Sequence, residues 1–572
     1  MIYDQKPWLE SYDSCVRAEV EIPDISLHDL LVETLTEMRA EPALYYVGIE
    51  MTFGELLEKS GQFARGLQEE GYGAGDVVAI CLPNVPQYHI ALVGALRAGC
   101  AISGLAPLLM PSEMAHQLSD SDAKILVIDD AVFDGKYLPV ADRAPEIATV
   151  LVTGPADTLP TTGEYPAGAP ISGKNVSSFM DFLSQYSAEP ASVTSNPNDQ
   201  CFLQYTGGTT GPPKGAVLTH RNMVSNATVF KHYMKFEPGQ GTWVTAFPMF
   251  HMAGLTTATC AMAYGYCQGV LPDPRNLEAV VEMLDQLRPF YVANVPSLAF
   301  LLLEDEGFRQ LDFSNLKFWV SGASPFPVDG IKALERIIGD GKVVEVWGMT
   351  ETSPLVTVNP ARGEKKAGSV GLPLPNTEVR VLDLNDGESE VPLGSEGELV
   401  VSGPQVMAGY RNRPEETEHA LRDHDGRVFM HTGDVGRMDH DGYVYVVDRL
   451  KDMIIVSGYK VFSAEVEDKF HQHPAVATCA VIGFPNPQRP DSEIVKLIVQ
   501  KTEAYRLTPD DEVEKELIAF AKRELAPYKV PRTIEFIEAL PMTSVGKIDK
   551  KMLRARAADA HRQDKLRLGG VA

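Results

Sequence analysis

Short apolar segments alternate with amphipathic stretches along the first two thirds of the chain, and this alternation constrains the fold most strongly. Apolar runs of this kind, separated by helical stretches, are typical of the buried parallel strands of an α/β protein. We therefore predict doubly wound parallel sheets, with helices on both faces. The predicted strands lie near residues 77–82, 124–129, 149–154, 202–205, 291–295, 317–322 and 343–347.

The pattern changes twice after this α/β region. Residues from about 366 to 448 contain strand-like runs joined by tight turns, which favours a small antiparallel sheet or barrel. The remaining residues mix helices and strands again and are numerous enough for a separate small domain. We predict a large N-terminal domain over residues 1–448, whose barrel part covers about 366–448, and a small α+β C-terminal domain over residues 449–572.

Composition excludes several classes of function. The 572 residues carry a formal net charge of −27, which opposes broad binding to nucleic acid. The seven cysteines are scattered without metal-ligand spacing, so we expect reduced thiols and a cytoplasmic location. We expect no secretory signal at the start, and the most apolar region, 77–110, is too often interrupted by polar residues and prolines to span a membrane.

The segment QYTGGTTGPPKG, residues 204–215, is the first candidate binding site. Glycine allows a ligand to approach the backbone closely, while threonine and lysine offer donors, so an anionic ligand such as a phosphate chain is favoured. A plain surface turn is the alternative. The segment directly follows a predicted strand, where ligands of open α/β sheets gather. It lacks the GxxxxGK[ST] pattern of the common nucleotide-binding loop.

This segment resembles the phosphate loop of the adenylate-forming superfamily, which includes acyl-CoA synthetases, peptide-synthetase adenylation domains and luciferases. Four further motifs occur in that family's order, and the resemblance covers residues from about 30 to 555. The segments GPQVMAGYRNRPEET and YKVP, together with Gly207, are similar to bacterial medium- to long-chain fatty acyl-CoA synthetases. The four motifs are VWGMTET (346–352), HTGD (431–434), DRLKDMIIVSGYKVFSAEVE (448–467) and PMTSVGKIDK (541–550).

The resemblance implies ATP, Mg²⁺ and coenzyme A as ligands. Asp434 and Arg449 match the pair that holds the ribose hydroxyls, and Trp347 matches the aromatic residue that stacks on adenine, with a plain core role as its alternative. Glu351 matches the magnesium carboxylate, with Thr206 beside the metal and Thr350 near the α-phosphate. Residues matching the phosphate loop are Thr206, Gly207, Gly208, Thr209, Thr210 and Lys214, and those flanking the adenine are Ser321, Gly322, Ala323 and Ser324.

The C-terminal motifs imply a moving domain. Lys547 matches the catalytic lysine, whose ammonium offsets the repulsion between the carboxylate and the α-phosphate. Lys451 matches the hinge about which the C-terminal domain rotates between the two half-reactions. In the second arrangement, Ser457, Gly458 and Tyr459 would face a tunnel for pantetheine.

Two further residues concern the substrate passages. His251 matches an aromatic position that gates the pantetheine tunnel, and a satisfied core histidine is its equal alternative. Gly348 stands where acetate-type relatives carry a tryptophan that closes the acyl pocket, so the glycine is interpreted as leaving that pocket open. Small residues of the next helical segment agree with a deep apolar channel: Ala253, Gly254, Thr256, Thr257 and Ala258.

The sequence thus predicts an ATP-dependent ligase that makes an acyl adenylate from a medium- to long-chain fatty acid and transfers the acyl group to coenzyme A. Aryl or cinnamate-type acids, and loading of a carrier protein, stay open as alternatives. A luciferase-like oxygenase and a non-enzymatic binding protein are further alternatives, although the second would be expected to lack Lys547 or Glu351. A homodimer and transient contact with a membrane surface are both compatible with the sequence.

Overall fold

The computed structural model describes residues 2–159, 165–206, 213–456, 459–486, 489–543 and 547–569. Within these ranges the strands are β1 (Pro42–Tyr46), β2 (Ile49–Thr52), β3 (Val77–Cys81), β4 (Ala101–Gly104), β5 (Ala123–Asp129), β6 (Thr149–Thr153), β7 (Asn175–Ser178), β8 (Gln200–Thr206), β9 (Lys214–Thr219), β10 (Thr242–Thr245), β11 (Cys267–Val270), β12 (Tyr291–Asn294), β13 (Phe318–Ser321), β14 (Val343–Gly348), β15 (Leu355–Val358), β16 (Leu372–Pro373), β17 (Glu378–Leu382), β18 (Gly397–Ser402), β19 (Gly409–Tyr410), β20 (Leu421–His424), β21 (Arg427–Met438), β22 (Val444–Arg449), β23 (Ile454–Val456), β24 (Tyr459–Val461), β25 (Val476–Asn486), β26 (Arg489–Lys501) and β27 (Thr533–Phe536). The α-helices are α1 (Leu27–Glu37), α2 (Phe53–Glu69), α3 (Pro86–Arg97), α4 (Pro111–Asp120), α5 (Asp130–Val132), α6 (Phe179–Ser184), α7 (His220–Met234), α8 (Met252–Tyr264), α9 (Leu277–Leu287), α10 (Pro296–Glu304), α11 (Glu306–Arg309), α12 (Val328–Ile338), α13 (Pro414–Ala420), α14 (Ser463–Phe470), α15 (Asp510–Glu524) and α16 (Lys550–Gly569).

Two large sheets form the α/β part of the molecule. One has nine strands in the order β16-β15-β14-β13-β12-β10-β11-β1-β2, and the other has eight in the order β19-β9-β8-β4-β3-β5-β6-β7. Most neighbouring strands run parallel, as their uninterrupted apolar character predicts, whereas β9 and β15 pair antiparallel with their neighbours. All seven strands predicted from the apolar runs are present, so the doubly wound α/β prediction is confirmed.

The smaller sheets follow the change in sequence pattern. Strands β17, β18, β20, β21 and β22 form a curled antiparallel sheet. After it, β25, β26 and β27 form a three-stranded sheet that packs with α14 and α15 around a separate hydrophobic cluster. The predicted antiparallel unit and the α+β character of the C-terminal region are therefore confirmed.

The parallel strands point their carboxyl ends toward one edge of each large sheet, and these edges position the candidate site. Strands β13 and β14 are parallel neighbours, so the segment that follows Ser321 lies beside the end of β14 at Gly348. Strand β8 of the other sheet ends at Thr206, where the glycine-rich segment begins. This is the placement expected for ligand-binding loops in open α/β sheets.

Candidate active site

The hairpin of β8 and β9 carries both ends of the predicted phosphate loop. Thr206 ends β8, Lys214 begins β9, and the two are cross-strand partners. The Thr206 hydroxyl donates to the backbone carbonyl of Lys214 at 3.5 Å. A hydroxyl and an ammonium therefore stand at the base of the loop. The loop's other predicted members lie outside the described residues: Gly207, Gly208, Thr209 and Thr210.

Tyr410 joins this hairpin to the predicted magnesium carboxylate. Strand β19 pairs with β9, which places Tyr410 opposite Ala216. The Tyr410 hydroxyl donates to Oε1 of Glu351 at 2.7 Å, and the Lys214 ammonium lies 5.1 Å from the centre of the Tyr410 ring. Burial, and then the charge of Glu351, raise the pKa of Tyr410. The tyrosine therefore remains a hydrogen-bond donor to the carboxylate.

Sequence reasoning did not single out Tyr410 as a site residue. It lies within the stretch 403–417 that resembles fatty acyl-CoA synthetases, so a signal was present without an assigned role. The neighbouring Met407 backbone N–H donates to the Glu351 carbonyl at 2.8 Å. Thr350 is buried in the 3-10 turn Thr350–Thr352, directly after β14. The 403–417 stretch thus fixes both the backbone and the side chain of Glu351.

The predicted ribose pair forms in the structure. Asp434 and Arg449 are cross-strand partners on β21 and β22, and the Arg449 Nε lies 2.7 Å from Oδ1 of Asp434. The indole Nε1 of Trp347 donates to the other oxygen, Oδ2, at 2.8 Å. Asp434 is only 2% exposed, so an arginine and an indole N–H hold its carboxylate in a fixed direction.

Trp347 has a second role that sequence reasoning offered as its alternative. The residue is 8% exposed and packs in a hydrophobic cluster with Tyr3, Trp8 and Tyr443. Its ring therefore belongs to the protein core, while its N–H orients Asp434. Stacking of the indole on adenine stays a prediction.

The predicted adenine-flanking segment follows β13. Ser321 ends this strand, is buried, and its hydroxyl has no hydrogen-bond partner in the described part of the chain. Ala323 has a φ of +68°, and a Cβ on Gly322 would lie 2.7 Å from Cγ2 of Val346. The segment thus turns sharply and packs against β14, which carries Trp347. Ser324 is half-buried beyond this turn.

The structure brings Lys547 to the ribose pair. Burial, and then the positive charge of Arg449, lower the pKa of Lys547 to about 8, while the charge of Asp434 acts in the opposite direction. Lys451 lowers it further and is itself exposed in the turn after β22. The catalytic-lysine candidate therefore lies in a group of three cations beside one buried carboxylate.

His251 also lies within the field of Lys547. Burial, and then the charge of Lys547, lower the pKa of His251 to about 3, so the imidazole is neutral at physiological pH. Its Nδ1 accepts a hydrogen bond from the Ala253 backbone N–H at 3.3 Å, which makes His251 the N-cap of α8. A capping role thus accounts for the residue, and the tunnel-gating role stays a prediction.

The helix α16 anchors the lysine loop. The Lys550 ammonium, three residues after Lys547, donates to the Ser463 hydroxyl at 2.7 Å and lies 2.8 Å from Oε1 of Glu467. One turn later, Arg554 forms an ion pair with Asp452. At the other end of the loop, the Lys547 backbone N–H donates to the Thr543 hydroxyl at 3.1 Å.

Asp448 joins the two sides of the predicted hinge. This residue belongs to β22, yet its buried carboxylate accepts hydrogen bonds from the backbone N–H and the hydroxyl of Ser463 at the start of α14. Lys451 lies between these two residues in the sequence. A rotation about Lys451 would therefore have to separate Asp448 from Ser463.

The structure supplies another reason for the glycine at 348. A Cβ built on Gly348 would lie 1.7 Å from the carbonyl oxygen of Pro354, so two backbone segments approach too closely for any side chain. Gly254 is similar, since its Cβ would lie 2.2 Å from the Pro248 carbonyl oxygen. Thr256, Thr257 and Ala258 are buried in α8. These contacts account for the small residues without a channel, and the acyl channel stays a prediction.

Tyr459 lies apart from the cluster around Lys547. Its side chain is 59% exposed and stacks on Tyr528, with ring centres 4.7 Å apart. Its predicted partners in the pantetheine segment, Ser457 and Gly458, lie outside the described residues. Their proposed role belongs to a second arrangement of the domains.

The donor set at Glu351 fits a magnesium ion that arrives with its nucleotide. Mg²⁺ in nucleotide sites is held by one or two carboxylates together with substrate phosphates and waters. Glu351 supplies one carboxylate, with Oε2 left beside the oxygen that Tyr410 binds, and the Thr206 hydroxyl stands at the loop base. The described residues contain no group of three or more His, Cys, Asp or Glu that could hold a metal by themselves.

Comparison with known proteins identifies the family. A model of AMP-binding enzymes matches residues 32–411, and a model of the AMP-binding enzyme C-terminal domain matches residues 465–547. The chain therefore belongs to the AMP-binding, adenylate-forming enzymes.

Relatives narrow the class. The chain is 36% identical over 575 residues to a long-chain-fatty-acid–CoA ligase of Escherichia coli O6:H1, covering 97% of this chain and 98% of that protein. It is 35% identical over 516 residues to a feruloyl-CoA synthase of an Amycolatopsis species, covering 90% and 95%. The crystal structure of the anthranilate CoA ligase AuaEII in complex with anthranoyl-AMP superposes with a TM-score of 0.83 at 25% identity, covering 95% and 99%. The chain is thus an adenylate-forming ligase similar along nearly its whole length to acid–CoA ligases.

Across the described ranges, no helix is both long and apolar enough to cross a membrane.

Proposed function

We propose that the protein activates a medium- to long-chain fatty acid as an acyl adenylate and transfers the acyl group to coenzyme A, releasing AMP and pyrophosphate. The observation that carries the proposal is that Lys547, from the C-terminal region, lies within the electrostatic reach of Asp434 and Arg449. The full-length similarity to a long-chain-fatty-acid–CoA ligase supports the choice of acid.

In the first half-reaction, a carboxylate oxygen of the acid attacks the α-phosphorus of ATP. A bond forms between that oxygen and phosphorus, the bond to the bridging oxygen of pyrophosphate breaks, and the leaving pyrophosphate carries the electron pair. Both reactants are anions, so fixed cations lower the barrier by offsetting their repulsion. We assign this role to Lys547, which would act between the acid and the phosphate, while Lys214 stands at the base of the predicted phosphate loop.

The nucleoside is held by the chain's own polar groups. The Asp434 carboxylate, oriented by Trp347 and Arg449, accepts hydrogen bonds from the ribose hydroxyls. A Mg²⁺ ion held by Glu351 would neutralise charge on the phosphates when bound. Tyr410 holds Glu351 in one direction, so that its second oxygen is kept for the ion.

The second half-reaction brings a thiol to the site that served the phosphates in the first. The thiol sulfur of coenzyme A attacks the acyl carbon, its proton passes to solvent, and AMP leaves with the electrons of the carbon–oxygen bond. We propose that residues 449–572 rotate about Lys451 relative to residues 1–448. This movement withdraws Lys547 and presents the Ser457–Tyr459 segment to the site.

One experiment separates the proposed function from its two alternatives, a cinnamate-type acid as substrate and a carrier protein as acceptor. The similarity to a feruloyl-CoA synthase favours cinnamate-type acids as the second candidate. A panel of acetate, octanoate, palmitate, benzoate, coumarate and ferulate is incubated with ATP, Mg²⁺ and coenzyme A, and pyrophosphate and thioester are measured separately. The proposal expects the highest kcat/KM with octanoate to palmitate and equal amounts of both products. A preference for ferulate would replace the fatty acid, and pyrophosphate without thioester would indicate a carrier protein as acceptor.

A further inference from the structure

The turn that presents Asp434 is an irregularity in β21. Glu398 of β18 pairs with Val435, and Val400 pairs with His431. A step of two residues on β18 (398 to 400) thus matches a step of four on β21 (435 to 431), so β21 contains two additional residues. Bulges of this kind interrupt the ladder of backbone hydrogen bonds and redirect side chains, often beside active sites. The bulge contains the turn from His431 to Asp434.

The Glu398 carboxylate occupies the interrupted part of the ladder. Its Oε1 accepts a hydrogen bond from the Gly433 backbone N–H at 3.1 Å, and its Oε2 accepts one from Nδ1 of His431 at 2.9 Å. The residue is 8% exposed, so both bonds form away from bulk water. Hydrogen bonds to a charged acceptor are about twice as strong as neutral ones. The Glu398 side chain therefore supplies an acceptor for one backbone N–H inside the bulge and for one imidazole beside it.

A second imidazole extends this arrangement. Nε2 of His431 lies 2.9 Å from Nε2 of His424, so one of these two nitrogens carries the proton that joins them. His431 is buried, and His424 is partly buried against Phe429. The chain from His424 through His431 to Glu398 fixes the imidazole of His431 at both nitrogens.

Further hydrogen bonds of Thr432 and Gly433 hold the bulge in a single backbone conformation. The Thr432 hydroxyl donates to the Leu399 carbonyl at 2.6 Å and accepts from the Asp434 backbone N–H at 3.1 Å. Gly433 has a φ of +68°, and its carbonyl accepts from the Leu450 backbone N–H at 2.8 Å. The Gly433 N–H that Glu398 holds therefore belongs to the residue immediately before Asp434, and a rotation of that peptide would change the direction of the Asp434 carboxylate.

We propose that Glu398 is a positioning residue for nucleotide recognition, which acts through Gly433 and His431 to aim the Asp434 carboxylate at the ribose of ATP. The inference deepens the proposed function and rests on its assignment of Asp434 to the ribose. Glu398 itself touches neither the nucleotide nor the acid in this account. Its contribution is the direction of the carboxylate of the residue that immediately follows Gly433, whose N–H it binds.

The test measures how well the enzyme distinguishes sugars. Pyrophosphate release with octanoate and with palmitate is followed with ATP, 2′-deoxy-ATP and 3′-deoxy-ATP for the wild type, Glu398→Gln, Glu398→Asp and Asp434→Ala. Glu398→Gln keeps the size but gives up the charge, and Glu398→Asp keeps the charge but shortens the side chain. Glu396→Gln is the matched control, because Glu396 is exposed two residues earlier on the same segment. Tm is recorded for every variant.

We expect both Glu398 variants to raise the KM for ATP on the order of 10-fold, the size of one lost charged hydrogen bond, with kcat changed far less. Their preference for ATP over the deoxy nucleotides should fall toward that of Asp434→Ala, whereas Glu396→Gln should keep the wild-type preference. A lower Tm with an unchanged sugar preference would overturn the inference and leave Glu398 a purely structural residue.

Different results would contradict the coenzyme A step, the ribose assignment of Asp434 and the role of Glu398. Pyrophosphate release without thioester would remove coenzyme A from the proposed function but leave this inference intact, since it is measured in the first half-reaction. If Asp434→Ala keeps the wild-type sugar preference, the ribose assignment is wrong and the role of Glu398 falls with it. If one Glu398 variant fails to fold, the other gives the same measurement. If both fail, His431→Asn removes one of the two bonds of Glu398 and should give a smaller loss of sugar preference, and an unchanged preference there overturns the inference.

Discussion

The Asp434 carboxylate and the Arg449 guanidinium face each other across β21 and β22, with Nε 2.7 Å from Oδ1. Arg449 is also the residue whose carbonyl accepts from the backbone N–H groups of Asp452 and Met453. The predicted ribose pair is thus joined directly to the turn that contains the proposed hinge. A change in that turn would reach the proposed nucleotide site through Arg449.

Lys547→Ala should lower the rate of adenylate formation about 10²-fold or more, the loss expected for one group that stabilises developing charge. Thioester formation from supplied acyl adenylate should fall far less, because the proposed rotation has withdrawn the lysine by then. Single-turnover assays of pyrophosphate release and of thioester formation separate the two steps. Lys522→Ala, on the exposed face of α15, is the control. Equal losses in both steps would contradict the two-arrangement proposal.

The pH dependence of adenylation should show the titration of Lys547. Its pKa is lowered to about 8, and the charged form is the one that offsets anionic repulsion, so kcat/KM for ATP should decline as pH rises through about 8. Bound phosphates favour the ammonium, so the decline in kcat should occur at higher pH. Steady-state pyrophosphate release between pH 6 and 10 gives the pH dependence of both kcat/KM and kcat. A flat profile in this range would show that the free-enzyme ammonium does not titrate there.

Tyr410→Phe should raise the Mg²⁺ concentration needed for half-maximal adenylation by roughly 3- to 10-fold, the effect of losing one hydrogen bond to a charged group. The ring and its contact with Lys214 are retained, while the bond that orients Glu351 is removed. The measurement is a magnesium titration at fixed ATP. Tyr445→Phe, on β22 of the curled antiparallel sheet, controls for the loss of a tyrosine hydroxyl that binds Asp439 and not Glu351. An unchanged magnesium requirement would separate Tyr410 from the metal.

Lys451→Pro should impair thioester formation more than adenylation. Proline fixes φ near −65° and so restricts a residue that must change its backbone dihedrals between two arrangements. The variant should fold, since Lys451 is exposed in a turn. Lys451→Ala, which keeps the backbone freedom, is the control. Normal transfer from preformed adenylate in a folded Lys451→Pro protein would place the pivot elsewhere, with Asp452 the next candidate.

Gly348→Ala should be strongly destabilising or inactivating, because its Cβ would fall 1.7 Å from the Pro354 carbonyl oxygen. To relieve that contact, the backbone at Gly348 or at Pro354 has to move. Trp347 directly precedes Gly348, and Glu351 lies three residues before Pro354, so the movement would displace these residues. Thermal unfolding and pyrophosphate release are measured beside Gly135→Ala, where no atom lies within 4 Å of the added Cβ. A stable variant with shortened acid preference would instead favour the acyl-pocket interpretation.

The sequence predicted the sheets because each strand is buried on both faces and leaves a continuous apolar run. It also singled out Asp434, Arg449 and Lys547, whose motifs keep residue type and spacing together, and the structure brings these three residues near one another, while their roles stay predictions. It could not find Tyr410 or Glu398. The proposed role of Tyr410 depends on a two-residue strand added to the edge of β9, and that of Glu398 depends on a bulge on a neighbouring strand. Both roles arise from pairing between distant segments, which leaves no local periodicity.

For Gly348, the sequence alone is compatible with two different structural reasons for a glycine. An absent side chain is compatible with an open pocket and with two backbones in contact, and only coordinates distinguish them. Trp347 is similar, because a buried indole can both fill a core and donate one hydrogen bond.

Two anchors of α16 tie Lys547, the proposed catalytic lysine, to its surroundings. Lys550 fastens this helix to α14, and Arg554 fastens it to Asp452 beside the proposed pivot. Lys547 lies only three residues before the anchored Lys550, so its backbone has little freedom to move independently of α16 in the proposed cycle. In the proposed rotation about residue 451, the Lys547 ammonium would approach or leave the phosphate together with α14 and α16 and not as an independently moving side chain. Accuracy of placement at the reacting atoms is then set by the stiffness of a helix and two ion pairs.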